Sequence, residues 1–159
     1  MSEPIPEGFV PHFKKSGLTD PWEPLYSRQT EAAVEIGFRA GPAHANSRGF
    51  VHGGLLTALA DNAMGLSCVA QIAIAGAPSG HEKAQKPPER AQASLSRFVT
   101  VGLSVDFIAS AQLGQWIEIR PAVLKAGPGL CFSIATIHAD GALCARANAT
   151  FRATKPEVP

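Results

Sequence analysis

The feature that most constrains this chain is a long apolar segment, residues 53 to 75, that carries a single formal charge. That charge is Asp61, and it is the only one between Arg48 and Glu82. Gly76 follows the segment, so length and composition predict one long helix that ends there. A helix that is apolar on nearly every side has to be buried on nearly every side, and one small sheet cannot achieve this alone. We therefore expect a second subunit to cover the remaining face.

The placement of Asp61 indicates a reactive group. A carboxylate that packs among apolar side chains loses hydration, and its charged form becomes costly. Proteins usually retain such a group where it takes part in chemistry. The alternative is a purely structural role, in which Asp61 forms a hydrogen bond with Thr57, one turn earlier in the helix.

A turn with two glycines, His52-Gly53-Gly54, opens the same helix, eight residues before Asp61. The first N–H groups of a helix have no partner within it, and the positive end of the helix dipole lies behind them. An electron-rich carbonyl oxygen would bind at this turn. Taken alone, the two glycines are equally compatible with a close-packed joint between loop and helix.

Composition argues against several classes of partner. The chain has 159 residues, enough for one domain with a core, and its 14 basic and 13 acidic residues give a formal charge of +1. This balance provides no field that would attract nucleic acid or an anionic membrane. Polar residues interrupt the apolar segment, which favours a buried helix over a membrane span. The sequence begins Met1-Ser2-Glu3-Pro4 without an apolar leader, so we expect a cytoplasmic protein.

The three cysteines, Cys68, Cys131 and Cys144, show neither a paired framework nor the spacing of a metal-ligand set. We expect reduced thiols in the core or in strands, and we expect no metal site. The histidines His12 and His81, together with His138, are expected at the surface.

The flanking segments suggest how the chain is divided. Residues 1–31 contain five prolines, which predict an irregular arm packed over the domain proper. Residues 32–39 alternate apolar and polar side chains, as a half-buried strand does. Residues 76–94 contain two glycines, three prolines and five charged residues, so we expect a mobile polar insert that affects substrate affinity more than chemistry. Residues 153–159 form a C-terminal tail.

Four strand-like runs follow the insert and are separated by glycine-containing turns. They cover residues 98–108, 116–125, 130–138 and 142–152. We predict that they pair in sequence order as an antiparallel meander. The economical packing is an α+β domain in which the sheet curls and its concave face covers the helix.

These residues resemble a known family. The pattern comprises Asn46-x-x-Gly49-x-x-His52-Gly53-Gly54, then Asp61-Asn62, and a strand from Thr100 to Phe107 followed by Leu113-Gly114. It is similar to the hot-dog-fold acyl-CoA thioesterases of the phenylacetate-degradation (PaaI) type over residues 32–152. The resemblance implies a hot-dog fold, with a curved antiparallel sheet wrapped around a long central helix. The sequence departs from the family pattern at two points. The insert at 76–94 is longer, and Ala109-Ser110-Ala111 stands where a segment like Arg-Pro-Ala is more usual. Because of these departures, the resemblance does not define the substrate.

The resemblance also implies roles for individual residues. The Gly53 N–H would polarise the thioester carbonyl, and Asn46, His52 and Gly54 would contact the substrate around it. Asp61 would act as a general base on water or as a nucleophile, and the sequence leaves both open. Thr100 would hold the attacking water. CoA enters as part of the substrate, and no further cofactor is implied.

Helix geometry adds an argument of its own. Eight residues separate Gly53 from Asp61 by about 12 Å along the axis and about 80° around it, so one helix cannot bring both to one carbonyl. Two antiparallel helices about a twofold axis would bring each Asp61 to the glycine turn of the other subunit. We expect a homodimer with two composite sites, and the family implies a tetramer made as a dimer of dimers.

Two other functions are compatible with the scaffold. A hydroxyacyl-thioester dehydratase would use a histidine and a helix carboxylate, but its Gly-Asp-x-Asn-Pro-type loop is absent between Gly41 and Gly54. A non-catalytic acyl-CoA sensor fused to a DNA-binding helical element is disfavoured by the prolines of the arm. The acyl group stays open between aryl, hydroxyaryl-acetyl and medium-chain acyl. Lys125 is a candidate contact for a CoA phosphate, although a solvated lysine at a strand end is the simpler interpretation.

Overall fold

The computed structural model describes residues 4–75 and 98–154. The predicted insert at 76–94, His81 and most of the C-terminal tail lie outside the described residues. The elements are one α-helix, α1 (Gly53–Ala75), and the strands β1 (Val10–Pro11), β2 (Tyr26–Gln29), β3 (Val34–Arg39), β4 (Phe98–Phe107), β5 (Trp116–Ala126), β6 (Leu130–Ala139) and β7 (Ala142–Ala153). Two 3₁₀ turns cover Asp20–Trp22 and Pro42–His44.

The strands form one antiparallel sheet in the order β1-β2-β3-β5-β6-β7-β4. The predicted meander is correct for β5, β6 and β7 but wrong for β4, which pairs with β7 from Phe98↔Ala153 to Phe107↔Ala145 instead of with its successor. Alternating side chains report which face of a strand is buried and not which strand lies beside it. The segment from 108 to 115 carries the chain away from β4, and its Gln112 bridges Phe50 in the loop before the helix.

Helix α1 packs into the concave face of the sheet, mainly against β5, β6 and β3. Its core side chains include Leu59, Ala63 and Met64, which are fully buried. Gly54, Thr57, Asp61 and Gly65 keep partial exposure, and their spacing of three and four residues places them on one face. By length and composition α1 could also cross a membrane, but core helices of globular domains pass the same test. The sheet therefore leaves one stripe of the helix uncovered.

The proline-rich arm is more ordered than the sequence predicts, because it adds β1 and β2 to the edge of the sheet beside β3. His12 is not at the surface as expected. It is 2% exposed, its backbone N–H donates to the Leu25 carbonyl, and neither ring nitrogen has a hydrogen-bond partner among the described residues. Burial lowers the pKa of His12 because the charged ring would lose its hydration. His138 is half-buried, with ring contacts to Gly141 O and Thr136 Oγ1.

Charged groups fasten the arm to the sheet. Arg28 on β2 donates to Glu35 on β3 at 2.6 Å and to Glu118 on β5 at 2.8 Å, and Arg120 also donates to Glu118 at 2.8 Å. Burial alone would raise the pKa of Glu118, but the hydrogen bond from Arg120 and the charges of Arg120 and Arg28 outweigh it and lower that pKa. The arm is thus held at a fixed position against the domain.

The expectation of three reduced cysteines is wrong for two of them. Cys68 on α1 and Cys131 on β6 are fully buried and form a disulfide with Cα atoms 6.1 Å apart. They are 63 residues apart in the chain, so only the packing of helix on strand brings them together. Cys144 is a free, buried thiol, and burial raises its pKa.

Candidate active site

His44, a buried residue that was not predicted from the sequence, holds the loop that precedes α1 in place. Its Nδ1 accepts the Gly41 N–H at 2.8 Å, so its Nε2 carries the proton and donates to the Trp22 carbonyl at 2.9 Å. Its backbone carbonyl accepts the His52 N–H at 2.8 Å. His44 therefore joins the arm to the start of the helix. No spacing in the sequence marks it, because its partners are backbone atoms and one of them, the Trp22 carbonyl, lies 22 residues away in the arm.

Asn46 organises the next part of the loop. Its Oδ1 accepts the N–H groups of Arg48 at 2.9 Å and Phe50 at 3.2 Å, and Gly49 completes the turn with φ = 80°. A positive φ of this size favours glycine. The side-chain oxygen is thus occupied by the loop. The amide NH₂ of Asn46 has no partner among the described residues and remains a donor for a ligand.

The two glycines at the start of α1 differ in the hydrogen bonding of their N–H groups. His52 caps α1: its carbonyl accepts the N–H groups of Leu55 and Leu56, and its Nδ1 accepts the Gly54 N–H at 2.9 Å. The Gly53 N–H, in contrast, has no partner among the described residues. The open donor that the sequence predicts at this turn is therefore Gly53, while Gly54 serves to fold the His52 ring back against the helix.

Both glycines lie directly against neighbouring rings. A Cβ on Gly53 would lie 2.9 Å from the ring of Phe107, and a Cβ on Gly54 would lie 3.0 Å from the ring of His52. These distances are shorter than a normal carbon contact. The two rings thus pack directly on the backbone of the turn, and side chains there would push them away.

Asp61 and Thr100, distant in sequence, meet in the fold. The Thr100 hydroxyl donates to Asp61 Oδ1 at 2.8 Å, which leaves Oδ2 without a partner among the described residues. Asp61 is half-buried, as the sequence suggested for a carboxylate on this helix. The structural alternative, a bond to Thr57, is not formed: the Thr57 hydroxyl donates to the Gly53 carbonyl at 2.9 Å. The carboxylate is therefore oriented by β4 and open on one side.

The predicted site residues line two separate depressions. The first, here the glycine-turn cleft, has a volume of about 610 Å³ and is bounded by Asn46, Arg48, His52, Gly53, Thr57 and Phe107. The second, here the Asp61 cavity, has a volume of about 160 Å³ and is bounded by Lys14, Asp61, Leu66, Val69, Thr100 and Phe151. They share no residue. One chain therefore keeps the Gly53 turn and the Asp61 carboxylate apart, as the helix geometry predicts.

Strand β4 forms an open edge of the sheet within the described residues. Its apolar side chains are exposed on both faces: Val99, Val101, Leu103 and Phe107 are 39–55% exposed. A long, apolar, unpaired edge is uncommon in a monomer because it invites pairing with another strand. This edge also carries Phe98 and Thr100, which line the Asp61 cavity, and Phe107, which lines the glycine-turn cleft. Lys125, by comparison, is exposed on β5 and lines neither.

Within residues 4–75 and 98–154, no three His, Cys, Asp or Glu side chains gather as metal ligands would. The side chains around both depressions instead offer hydrogen-bond donors, one carboxylate and apolar walls. Such a set suits an uncharged carbonyl substrate and an attacking water more than a metal ion.

Comparisons with known proteins agree with this geometry. Residues 48–145 match the sequence profile of the thioesterase superfamily. The chain is 32% identical over 148 residues to a Pseudomonas aeruginosa protein named "Putative esterase PA0474", covering 92% of this chain and 96% of that protein.

Solved structures share the fold. A thioesterase protein of Streptococcus pneumoniae, described as hypothetical and solved with coenzyme A, has a TM-score of 0.63 at 18% identity, covering 84% of this chain and 90% of that one. A variant of the phenylacetic acid degradation protein PaaI of Thermus thermophilus has a TM-score of 0.61 at 18% identity, covering 81% and 92%. Zebrafish thioesterase superfamily member 2 has a TM-score of 0.65 at 19% identity, covering 87% and 88%. The predicted hot-dog fold is confirmed, and the chain belongs to the thioesterase superfamily.

Proposed function

We propose that the protein hydrolyses acyl-CoA thioesters to the free acid and CoA, and that each site is shared between two subunits. One observation carries the proposal: the same helix presents, both partly exposed, a carboxylate oriented by Thr100 at Asp61 and an unoccupied N–H at Gly53. Support for CoA comes from the streptococcal structure, which was solved with coenzyme A.

The glycine-turn cleft binds the thioester carbonyl. The Gly53 N–H donates to the carbonyl oxygen, and the positive end of the α1 dipole lies behind it. As water adds to the carbonyl carbon, negative charge grows on this oxygen, so the bond strengthens in the transition state. The amide of Asn46 and the ring of His52 line the same cleft and supply further polar contacts.

Asp61 activates the nucleophile. Its free Oδ2 takes a proton from water while oxygen attacks the carbonyl carbon, and the carbon–sulfur bond then breaks to release CoA. Direct attack by Asp61, with an anhydride that water later opens, uses the same contacts. In both routes Thr100 holds the carboxylate, and its hydroxyl can turn to the attacking water. No cofactor beyond the CoA of the substrate is needed.

A second copy of the chain completes the site. The open β4 edge and the uncovered stripe of α1 support a partner on this side of the chain, which would bring its own Asp61 to this Gly53. A twofold axis along this edge gives two equivalent sites, and a tetramer would be a dimer of such dimers. The proposed enzyme acts in the cytoplasm.

The test is thiol release from a panel of acyl-CoAs, followed with a thiol reagent using the purified protein. Aryl, hydroxyaryl-acetyl and straight-chain substrates of two to ten carbons cover the open acyl classes. Catalytic release of free CoA from at least one of them supports hydrolysis. Tight binding of acyl-CoA without release would instead make the protein a sensor and would refute the proposed enzyme.

A further inference from the structure

The Asp61 cavity contains a cation that the hydrolysis mechanism does not use. Lys14, from the arm, lines the cavity with Asp61 and apolar side chains. Its ammonium forms no ion pair or hydrogen bond among the described residues. In particular, Lys14 and Asp61 border the same space without pairing to each other. Lys14 is exposed to solvent, so its ammonium is available to a ligand that enters this cavity.

The arm holds Lys14 in place from both sides. Two residues before it, His12 is buried and donates its N–H to the Leu25 carbonyl. Directly after it, Lys15 pairs with Glu23. Glu23 is itself fixed, because its second carboxylate oxygen accepts the Leu25 N–H at 2.7 Å. The backbone that carries Lys14 is therefore anchored, and its side chain reaches the cavity from a defined point.

The walls of the cavity suit the chain of a small acyl group. Leu66 and Val69 on α1 and Phe98 and Phe151 on the sheet provide apolar surface. Asp61 and Val69 lie about 12 Å apart along the helix, which gives the cavity its long direction. A cavity of about 150 Å³ accepts a molecule of benzene size, so 160 Å³ accommodates about six non-hydrogen atoms.

An unpaired ammonium disfavours a purely apolar occupant. A hydrocarbon chain that filled the cavity would displace water from Lys14 and offer no hydrogen bond in return. An anionic group at the far end of the chain would replace that water with a charge-assisted hydrogen bond. The pairing of apolar walls with one free cation is therefore complementary to a short acyl chain that ends in a carboxylate.

Resting on the hydrolysis proposed above, we propose that Lys14 is a specificity-determining residue that selects short acyl thioesters with a terminal carboxylate. The thioester end lies beside Asp61, the methylene groups pack along Leu66 and Val69, and the terminal carboxylate binds the Lys14 ammonium. The arm thus determines which acyl group is preferred, while residues of the helix and β4 carry out the chemistry.

The test compares two substrates of equal chain length, glutaryl-CoA and pentanoyl-CoA, by kcat/KM for thiol release. The unmodified protein should prefer glutaryl-CoA. The variant Lys14→Met keeps the length of the side chain but removes its charge, and should lower the ratio of glutaryl to pentanoyl kcat/KM by about 2- to 5-fold, the usual range for an ion pair with an exposed side chain. Lys14→Arg should retain a preference for glutaryl-CoA. The control Lys125→Met removes the same charge from an exposed lysine that lines neither depression, and should keep the original ratio.

The outcomes separate this inference from the proposed hydrolysis. Turnover of pentanoyl-CoA with no preference for glutaryl-CoA, or an equal loss with both substrates in Lys14→Met, would overturn the role of Lys14 and leave hydrolysis standing. An equal loss accompanied by a shifted pH profile would assign Lys14 to Asp61 instead of to the acyl group. No thiol release from either substrate, or from the wider panel, would overturn both.

Discussion

The two depressions of this molecule are built by different means. The glycine-turn cleft is shaped by a loop, and its principal donor is a backbone N–H at Gly53. The Asp61 cavity is enclosed by side chains from the helix, the sheet and the arm, and it contains the carboxylate. A backbone donor is insensitive to most substitutions, whereas a side-chain cavity can change its reactivity or its ligand with a single residue. Under the proposed function, the backbone would bind the thioester, and side chains would supply the chemistry and the selectivity.

The largest effect is expected in the Asp61 cavity. Asp61→Asn keeps the size and the hydrogen bond from Thr100 but removes the basic oxygen, so kcat should fall by roughly 10²–10⁴ while the fold is retained. Steady-state kinetics and circular dichroism measure the two quantities. Asp20→Asn, which neutralises an exposed carboxylate on the arm, is the matched control. Asp61→Asn with unchanged kcat would remove this residue from the mechanism.

The second prediction tests whether the two depressions that form one active site belong to different subunits. Gly53→Pro removes the N–H at a helix position that tolerates proline, and should inactivate the cleft. When Gly53→Pro and Asp61→Asn chains are refolded together, one site of each heterodimer receives both lesions and the other receives neither. Random pairing should then restore about one quarter of the original activity. Verified heterodimers without activity would place both residues in a site within one subunit.

A second glycine variant controls for steric damage in that experiment. Gly53→Ala places a Cβ against the exposed ring of Phe107, as proline does, but keeps the N–H. It should retain much more activity than Gly53→Pro. Equal inactivation of the two variants would attribute the loss to displacement of Phe107 and not to the missing donor.

Features with a local cause were predictable from the sequence. The helix was predicted at 53 to 75 and is found at Gly53–Ala75, because the glycine turn before it and Gly76 after it are local signals. The family resemblance implied that Thr100 holds the water that Asp61 activates, and the structure shows the Thr100 hydroxyl donating directly to Asp61 at 2.8 Å. Their catalytic roles remain predictions.

Thr100→Val should have a smaller effect than Asp61→Asn. The loss of the hydroxyl removes the hydrogen bond to Oδ1 but leaves the base in place, so we expect kcat to fall by about 10-fold, consistent with one lost hydrogen bond. Thr100→Ser keeps a hydroxyl and should recover most of this loss. If the Thr100→Val protein folds and keeps the original kcat, the hydroxyl is structural and catalysis in this cavity needs only the Asp61 carboxylate.

Features that depend on tertiary packing were not predictable. Alternation along β4 identified a strand but not its neighbour β7. Nothing in the spacing of Cys68 and Cys131 indicates that a helix and a strand place them side by side. Lys14 resembles any solvated lysine until the arm is seen to pass over the Asp61 cavity. In each case the cause is a contact between segments far apart in the chain.

The smallest effect concerns the arm, which contributes to the cavity and not to the cleft. The pKa of His12 is lowered in the fold, so the unfolded chain binds more protons as the pH falls below 6.5 and the free energy of unfolding decreases. The slope due to one such group is at most about 1.4 kcal/mol per pH unit. His12→Leu should flatten this dependence in denaturant titrations between pH 7 and 5. An unchanged slope would show that other groups cause it.

The open edge of β4 has a consequence for the lifetime of the newly made chain. Each newly folded monomer presents a ten-residue strand with unpaired backbone groups and apolar side chains. Until it meets another copy, that strand is a template for mispaired aggregates, so correct pairing and aggregation compete as second-order processes. In the proposed dimer the paired edge couples folding to assembly, so the thermal midpoint should rise with protein concentration. Dilution would then lower the proposed activity by dissociation, without any inhibitor.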